Sequence, residues 1–394
     1  VDTAAVDTAA VDTAVNAAVQ ELIERQVAEG SQIGVQVAAH HRGVPVVDAV
    51  AGRMGPHDGR PVRSDTLFCS FSTTKGVTAL AVHQLIDRGL IDPEAPVARY
   101  WPAFAAHGKS RITVAQAMSH QAGLHALPRP FRPHHLTDWD AALARIEQAT
   151  PAWEPGTATG YHAVTYGWLA GGIVQHATGR RIEEVIRSEI AVPLGLADEV
   201  FLGVPVQDPS IRERLATLLL VPAGQGLPIA DDAPFYEAMP RPMWPYFNDL
   251  VLREAVMPGA NGHFTARALS RIYGALANGG EIDGVRIIGA DALARANTIL
   301  TSQVDRVLMA PIRKGIGFFM GGPGPHPDGR MVPGAMGPRE TAFGHPGAGG
   351  SIAFADPEVG LSIAVTINQM AFPLPGEGTT VAICDLVRAQ LGAD

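Results

Sequence analysis

Lysine is nearly missing from this chain of 394 residues. Three of its 30 Lys and Arg residues are lysine: Lys75, Lys109 and Lys314. A chain that uses arginine wherever a cation suffices keeps lysine for what arginine cannot do, which is to lose its proton. Cysteine is equally scarce. Cys69 and Cys384 stand far apart in apolar stretches, which excludes a disulfide framework and a cysteine zinc site. There is no Lys/Arg run and the net charge is -9, so a nucleic-acid partner is not expected. No stretch approaches ~18 consecutive apolar residues, so no membrane span is expected. A basic segment followed by an apolar one is also missing at the start, and the expected location is cytoplasmic.

What is present is core-forming material. The chain is 46% hydrophobic and 18% charged, enough for a sizeable interior. Residues 1–15 read Val-Asp-Thr-Ala-Ala twice and then Val-Asp-Thr-Ala-Val, a period that suits neither helix nor strand, and are expected to form a tail or a frayed extension of the next helix. Helical spacing follows over 16–29. Gly34 to Ala39 and Val46 to Val50 read as a hairpin, with Pro45 at the start of its second strand. Leu67 to Phe71 leads into a helix that ends near Gly89. From 90 to 310 the pattern is mainly helical, with helices expected around 114–119, 165–178, 182–190 and 266–277. An aromatic, proline-rich stretch runs from Pro222 to Pro258. Gly315 to Met320 returns to strand character, Ser351–Ala355 and Leu361–Ile367 read as a second hairpin, and a final helix carries Val381 to Leu391. Strands at both chain ends with a helical middle imply an α/β fold. One antiparallel sheet from both termini is flanked by helices and carries a helical lobe. The α/β part is expected over about 16–75 and 310–394, and the lobe over about 76–309.

The strongest chemical signal is Ser72-Thr73-Thr74-Lys75. Positions i and i+3 share a helix face, so the hydroxyl and the amine can meet. A serine hydroxyl is a weak nucleophile without a base, and a desolvated lysine can serve as one. The bland alternative is a helix cap with a surface lysine. The apolar run Gly76-Val77-Thr78-Ala79-Leu80-Ala81-Val82 argues against it, because a surface helix would not continue that way. The adjacent pairs His40-His41 and His134-His135 lack ligand spacing, so neither a metal nor a cofactor is expected.

Four segments in order resemble the serine β-lactamase superfamily, and within it the class C-like branch with its family VIII carboxylesterases, D-aminopeptidases and acyltransferases. They are Phe71 to Gly76; Ile112-Thr113-Val114 through Met118-Ser119-His120-Gln121-Ala122-Gly123-Leu124; Pro155-Gly156 with Tyr161-His162-Ala163 and Tyr166 to Leu169; and Gly344 to Ser351 with Phe354 to Pro357 behind it. S-x-x-K is the nucleophile motif of this superfamily. The resemblance implies Ser72 as nucleophile and Lys75 with Tyr161 as base, the phenol acidified by the nearby lysine cation. It implies an oxyanion hole from the Ser72 and Ala348 N–H groups. Two positions depart from the family pattern. Ala163 replaces the asparagine of the second motif, and His345-Pro346-Gly347 replaces Lys-Thr-Gly.

These readings imply a serine carboxylesterase acting through an acyl-enzyme on a small-molecule ester. Passing the acyl group to an alcohol or amine is the alternative, ahead of a β-lactamase, a D-aminopeptidase or a penicillin-binding sensor. Candidate substrate contacts are His345, Gly347, Ala163, His125, Trp153, Tyr236 and Trp244.

Overall fold

The computed structural model of the chain describes residues 11–220, 230 and 232–394. Helix α1 (Thr13–Ala28) begins inside the third copy of the repeat, because the Asp12 side chain accepts the Ala14 and Val15 N–H groups and closes the first turn. The tail expected over 1–15 therefore gives way to helix at Thr13, and residues 1–10 lie outside the described residues.

The other elements that position the site are, in chain order, β1 (Gly34–His41), β2 (Val44–Gly52), α2 (Thr74–Asp87), α3 (Val114–Met118), α4 (Trp139–Gln148), α5 (Thr165–Thr178) and α6 (Ala266–Ala277). They continue with β3 (Phe319–Met320), β4 (Phe343–Pro346), β5 (Ile352–Asp356), β6 (Leu361–Ile367) and α7 (Thr379–Leu391). Six strands form one sheet in the order β2-β1-β6-β5-β4-β3, each antiparallel to its neighbour. Both chain ends feed it, as the hairpin pattern implied.

Alternation along the strands decides what covers each face. Val35, Val37 and Ala39 join Ile363 and Val365 in one core, completed by Val19 and Ile23 of α1 and Ile383 and Val387 of α7. The intervening residues meet α6 instead. Gln36 Oε1 accepts the Ala266 N–H at 2.9 Å, His40 Nδ1 lies 2.7 Å from Ser270 Oγ, and Ser362 Oγ donates to Ser270 O at 2.8 Å. Burial pushes the His40 imidazole down to about 4, so it is neutral at pH 7.

Beyond α6 lies the helical region, with α2 through its centre, buried at every residue from Thr74 to Ile86. Two expected elements differ. The strand expected over Gly315–Met320 shrinks to Phe319–Met320, because Gly317 turns left-handed at φ +83° and its N–H goes to Met118 O and Gly315 O. The helix expected over 182–190 is a regular turn Ile182–Ile186 that widens into a π-type turn Arg187–Ala191. Of the aromatic stretch Pro222–Pro258, residues 222–229 and 231 lie outside the described residues. The rest folds as Phe235–Ala238, Arg241–Asn248 and Leu250–Glu254. Among the described residues no helix is long and apolar enough to cross a membrane.

Candidate active site

The approach to Ser72 is anchored by a small antiparallel sheet in which Phe68–Cys69 and Val200–Phe201 flank His263–Phe264. The Ser70 N–H donates to Gly262 O at 3.0 Å, and the chain then turns through a tight 3-10 segment, Phe71–Thr73, into α2. Phe71 takes a left-handed φ of 46°, an uncommon state for a bulky residue that costs about 1–3 kcal/mol. Its ring is held against Phe247 and Trp244, at centroid distances of 4.8 and 5.9 Å. The kink buries Phe71 and leaves Ser72 as the one residue from Phe71 to Ile86 that is not buried. Ser72 also sits in a first helical turn, where N–H groups lack acceptors within the helix.

One turn on, Lys75 is fully buried. Its Nζ lies 3.0 Å from Ser72 Oγ, 2.7 Å from Ala163 O and 2.6 Å from Gly259 O. No carboxylate is among these partners. Burial therefore holds the ammonium well below the usual lysine range. A neutral amine has two N–H donors and one lone pair. The two carbonyls can only accept, so they take the donors and leave the lone pair for the serine hydroxyl.

Tyr161 closes the cluster, with its ring centroid 4.8 Å from Lys75 Nζ. The acidified phenol expected beside a lysine cation is not what forms here. Burial raises the Tyr161 phenol far above its ordinary value, and a hydrogen bond with the Ser72 side chain only partly opposes the rise. The lysine gives no help, because the same burial disfavours its cation. Tyr161 is thus a neutral hydrogen-bonding phenol beside an amine whose charged form burial disfavours. Tyr166 is fully buried, and its hydroxyl has no hydrogen-bond partner among the described residues.

The Gly-rich segment approaches from the sheet. β4 and β5 form a hairpin whose turn carries Gly347 and Ala348. A Cβ on Gly347 would fall 2.3 Å from Ser70 O, so only glycine lets this turn reach the serine segment. The Ala348 N–H donates to no backbone acceptor among the described residues. His345 is packed away at 1% exposure, its ring centroid 4.3 Å from that of Phe319 and 5.9 Å from that of Tyr161. Its Nδ1–H donates to Pro346 O at 2.7 Å, and burial keeps the ring neutral. Ala163 is buried too, and it offers its carbonyl to Lys75.

The remaining candidates divide. Trp244 borders the serine turn through Phe71. Tyr236 stacks under Arg241 and meets Phe235. His125 stacks on Trp153 at 5.3 Å, and both lie one ring beyond His162.

Sequence reasoning missed the scaffold behind Tyr161. Asp305 Oδ1 accepts the N–H groups of Tyr161 (3.0 Å), Val307 (2.8 Å) and Leu308 (2.7 Å), and Oδ2 pairs with Lys314 Nζ. Lys314 Nζ also donates to Thr159 Oγ1 at 2.6 Å. Burial alone would raise the Asp305 carboxyl, but Lys314 and these N–H groups outweigh it and hold the carboxyl below its usual value. On the other side His162 Nδ1–H donates to Gly160 O and Nε2 accepts the Leu124 N–H, while the His162 N–H goes to His120 Nδ1. The scarcity of lysine was the signal pointing to Lys314, and nothing in the sequence pointed to Asp305. Among the described residues no group of three or more His, Cys, Asp or Glu could hold a metal ion.

Residues 19–384 match the Beta-lactamase family. The chain is 39% identical over 352 residues to the esterase/beta-lactamase LipL of Mycobacterium tuberculosis, which covers 86% of this chain and 78% of LipL. Among solved structures it is similar to a family VIII carboxylesterase, with TM-score 0.85 and 34% identity over 96% of this chain and 98% of that one. It is also similar to a penicillin-binding protein homologue from Caulobacter crescentus, with TM-score 0.84 and 36% identity over the same shares of each chain.

Proposed function

The chain belongs to the beta-lactamase family, and on that premise we propose that it is a serine esterase that cleaves carboxylic esters through an acyl-enzyme on Ser72. The observation that carries this is the Lys75 amine, fully buried, free of any carboxylate and 3.0 Å from Ser72 Oγ. Neutral Lys75 takes the serine proton as Oγ attacks the ester carbonyl. The Ser72 and Ala348 N–H groups stabilise the oxyanion. The Tyr161 phenol donates its proton to the departing alkoxide, and the Lys75 ammonium restores it. Water then enters, the same groups run in reverse, and the acid leaves. The name of LipL and the carboxylesterase structure support an ester as substrate.

Esters are favoured over β-lactams for a local reason. A β-lactam presents a side-chain amide and a carboxylate beside the scissile bond. Ala163 offers the amide no side-chain hydrogen bond, and buried neutral His345 offers the carboxylate no cation. The missing neutral bond is worth about 0.5–1.5 kcal/mol and the missing charge-assisted one about 1.5–3 kcal/mol, so the pair lowers kcat/KM by roughly 30- to 2000-fold if the effects add. The test compares kcat/KM for p-nitrophenyl butyrate and a cephalosporin on one preparation. The ester should lead by ~30-fold or more. A cephalosporin value equal to or above it would reject the esterase reading.

A further inference from the structure

A cavity of about 320 Å³ lies between residues 123–128, the end of α4 and the start of α5. Ser72, Lys75 and Tyr161 do not line it. Three polar atoms of its lining are buried without a hydrogen-bond partner: Arg145 Nη1, Thr165 Oγ1 and His125 Nδ1. Thr165 and His125 are only 1% and 3% exposed. Buried polar atoms in folded chains are nearly always paired. Three orphans around one cavity indicate a polar guest.

We propose that this cavity binds a small hydroxycarboxylate, independently of the ester chemistry at Ser72. The anionic end follows from charge. The Arg145 guanidinium has no ion-pair partner among the described residues. Thr165, which supplies a hydroxyl donor, is the first residue of α5, whose N-terminus has no side-chain cap and whose dipole favours an anion. The one carboxylate in the lining, Glu237, is already answered. Its Oε2 lies 3.1 Å from His125 Nε2 and its Oε1 3.3 Å from Arg129 Nη2.

The hydroxyl follows from the histidine. Burial lowers His125, so it is neutral and carries one ring proton. Glu237 can only accept, so that proton sits on Nε2 and leaves Nδ1 as a bare acceptor. A bare carboxylate does not satisfy it, whereas an O–H on the same ligand does. Leu124, Ile146 and Trp168 give the carbon skeleton an apolar wall. A cavity of this size and mixed lining suits a small molecule.

Calorimetric titration of the whole protein with 3-hydroxybutyrate tests the proposal, with a dissociation constant at or below ~1 mM expected. 3-Hydroxybutyramide, which lacks the charge, should bind at least ~10-fold more weakly, and butyrate, which lacks the hydroxyl, several-fold more weakly. Arg145→Gln should weaken 3-hydroxybutyrate binding at least ~10-fold while kcat/KM for p-nitrophenyl butyrate stays unchanged. Thr165→Val provides a second variant, expected to weaken binding several-fold. The amide comparison needs no variant, so a folding defect in either cannot shelter the proposal. The absence of saturable heat would overturn it. So would amide binding as tight as the acid, or undiminished binding in Arg145→Gln.

Discussion

Lys75 and Lys314 are equally sealed from water, at 0% and 1% exposure, yet they meet opposite company. Around Lys75 stand a serine hydroxyl and two carbonyl oxygens. Around Lys314 stand the Asp305 carboxylate and the Thr159 hydroxyl. Burial lowers both amines, but only Lys314 has a carboxylate that opposes the shift. The same residue at the same depth is an amine whose cation is disfavoured in one place and half of an ion pair in the other. Lys109, also buried, shows a third outcome. It donates to Glu147 O and Ala149 O at the end of α4, as a helix cap. Burial alone therefore says little about a lysine, and the nearest acceptor decides its role.

The largest expected effect lies on the Lys75 side. Lys75→Arg keeps a cation but cannot take a proton, so kcat on p-nitrophenyl butyrate should fall by roughly 10²–10⁴, as far as in Lys75→Ala. Steady-state kinetics with a melting curve for each variant reads this out. An arginine variant within about tenfold of wild type would erase the contrast between the two lysines.

On the Lys314 side the effect is on stability. Lys314→Met strands Asp305 and should cost about 3–5 kcal/mol in urea unfolding, whereas Lys314→Met with Asp305→Leu should regain most of it. A double variant no more stable than the single one would show that the pair is not a unit.

The smallest effect concerns pH. Lys75 works only when neutral, so kcat/KM should be lost as pH falls through its folded value and should level off well below 10.5, the ordinary lysine value. Burial alone lowers this group, so the double variant at 305 and 314 should move the midpoint by less than about one unit. A larger move in the pH–rate profile would mean that the two lysines sense each other.

Local patterns were legible and long-range ones were not. Ser72 and Lys75 were readable because three residues along one helix dictate a shared face. Helices at Thr165–Thr178 and Ala266–Ala277 and both hairpins followed from periodicity that the core preserves. The amino-terminal tail was overestimated because Asp12 in the repeat doubles as a helix cap. Asp305 carries no motif. It matters because the chain returns 144 residues later to the Tyr161 N–H. The Tyr161 phenol was read in the wrong direction, because a sequence shows that a lysine is near but not that burial removes its charge.

The central claim is that neutral Lys75 activates Ser72. The most direct measurement is the rate at which a p-nitrophenyl phosphonate labels the protein, followed by intact mass and located by peptide mapping. One adduct per chain at Ser72 is predicted, formed roughly 10²-fold or more slowly in Lys75→Arg at neutral pH. Labelling at another residue, or equal rates in the two proteins, would contradict the account.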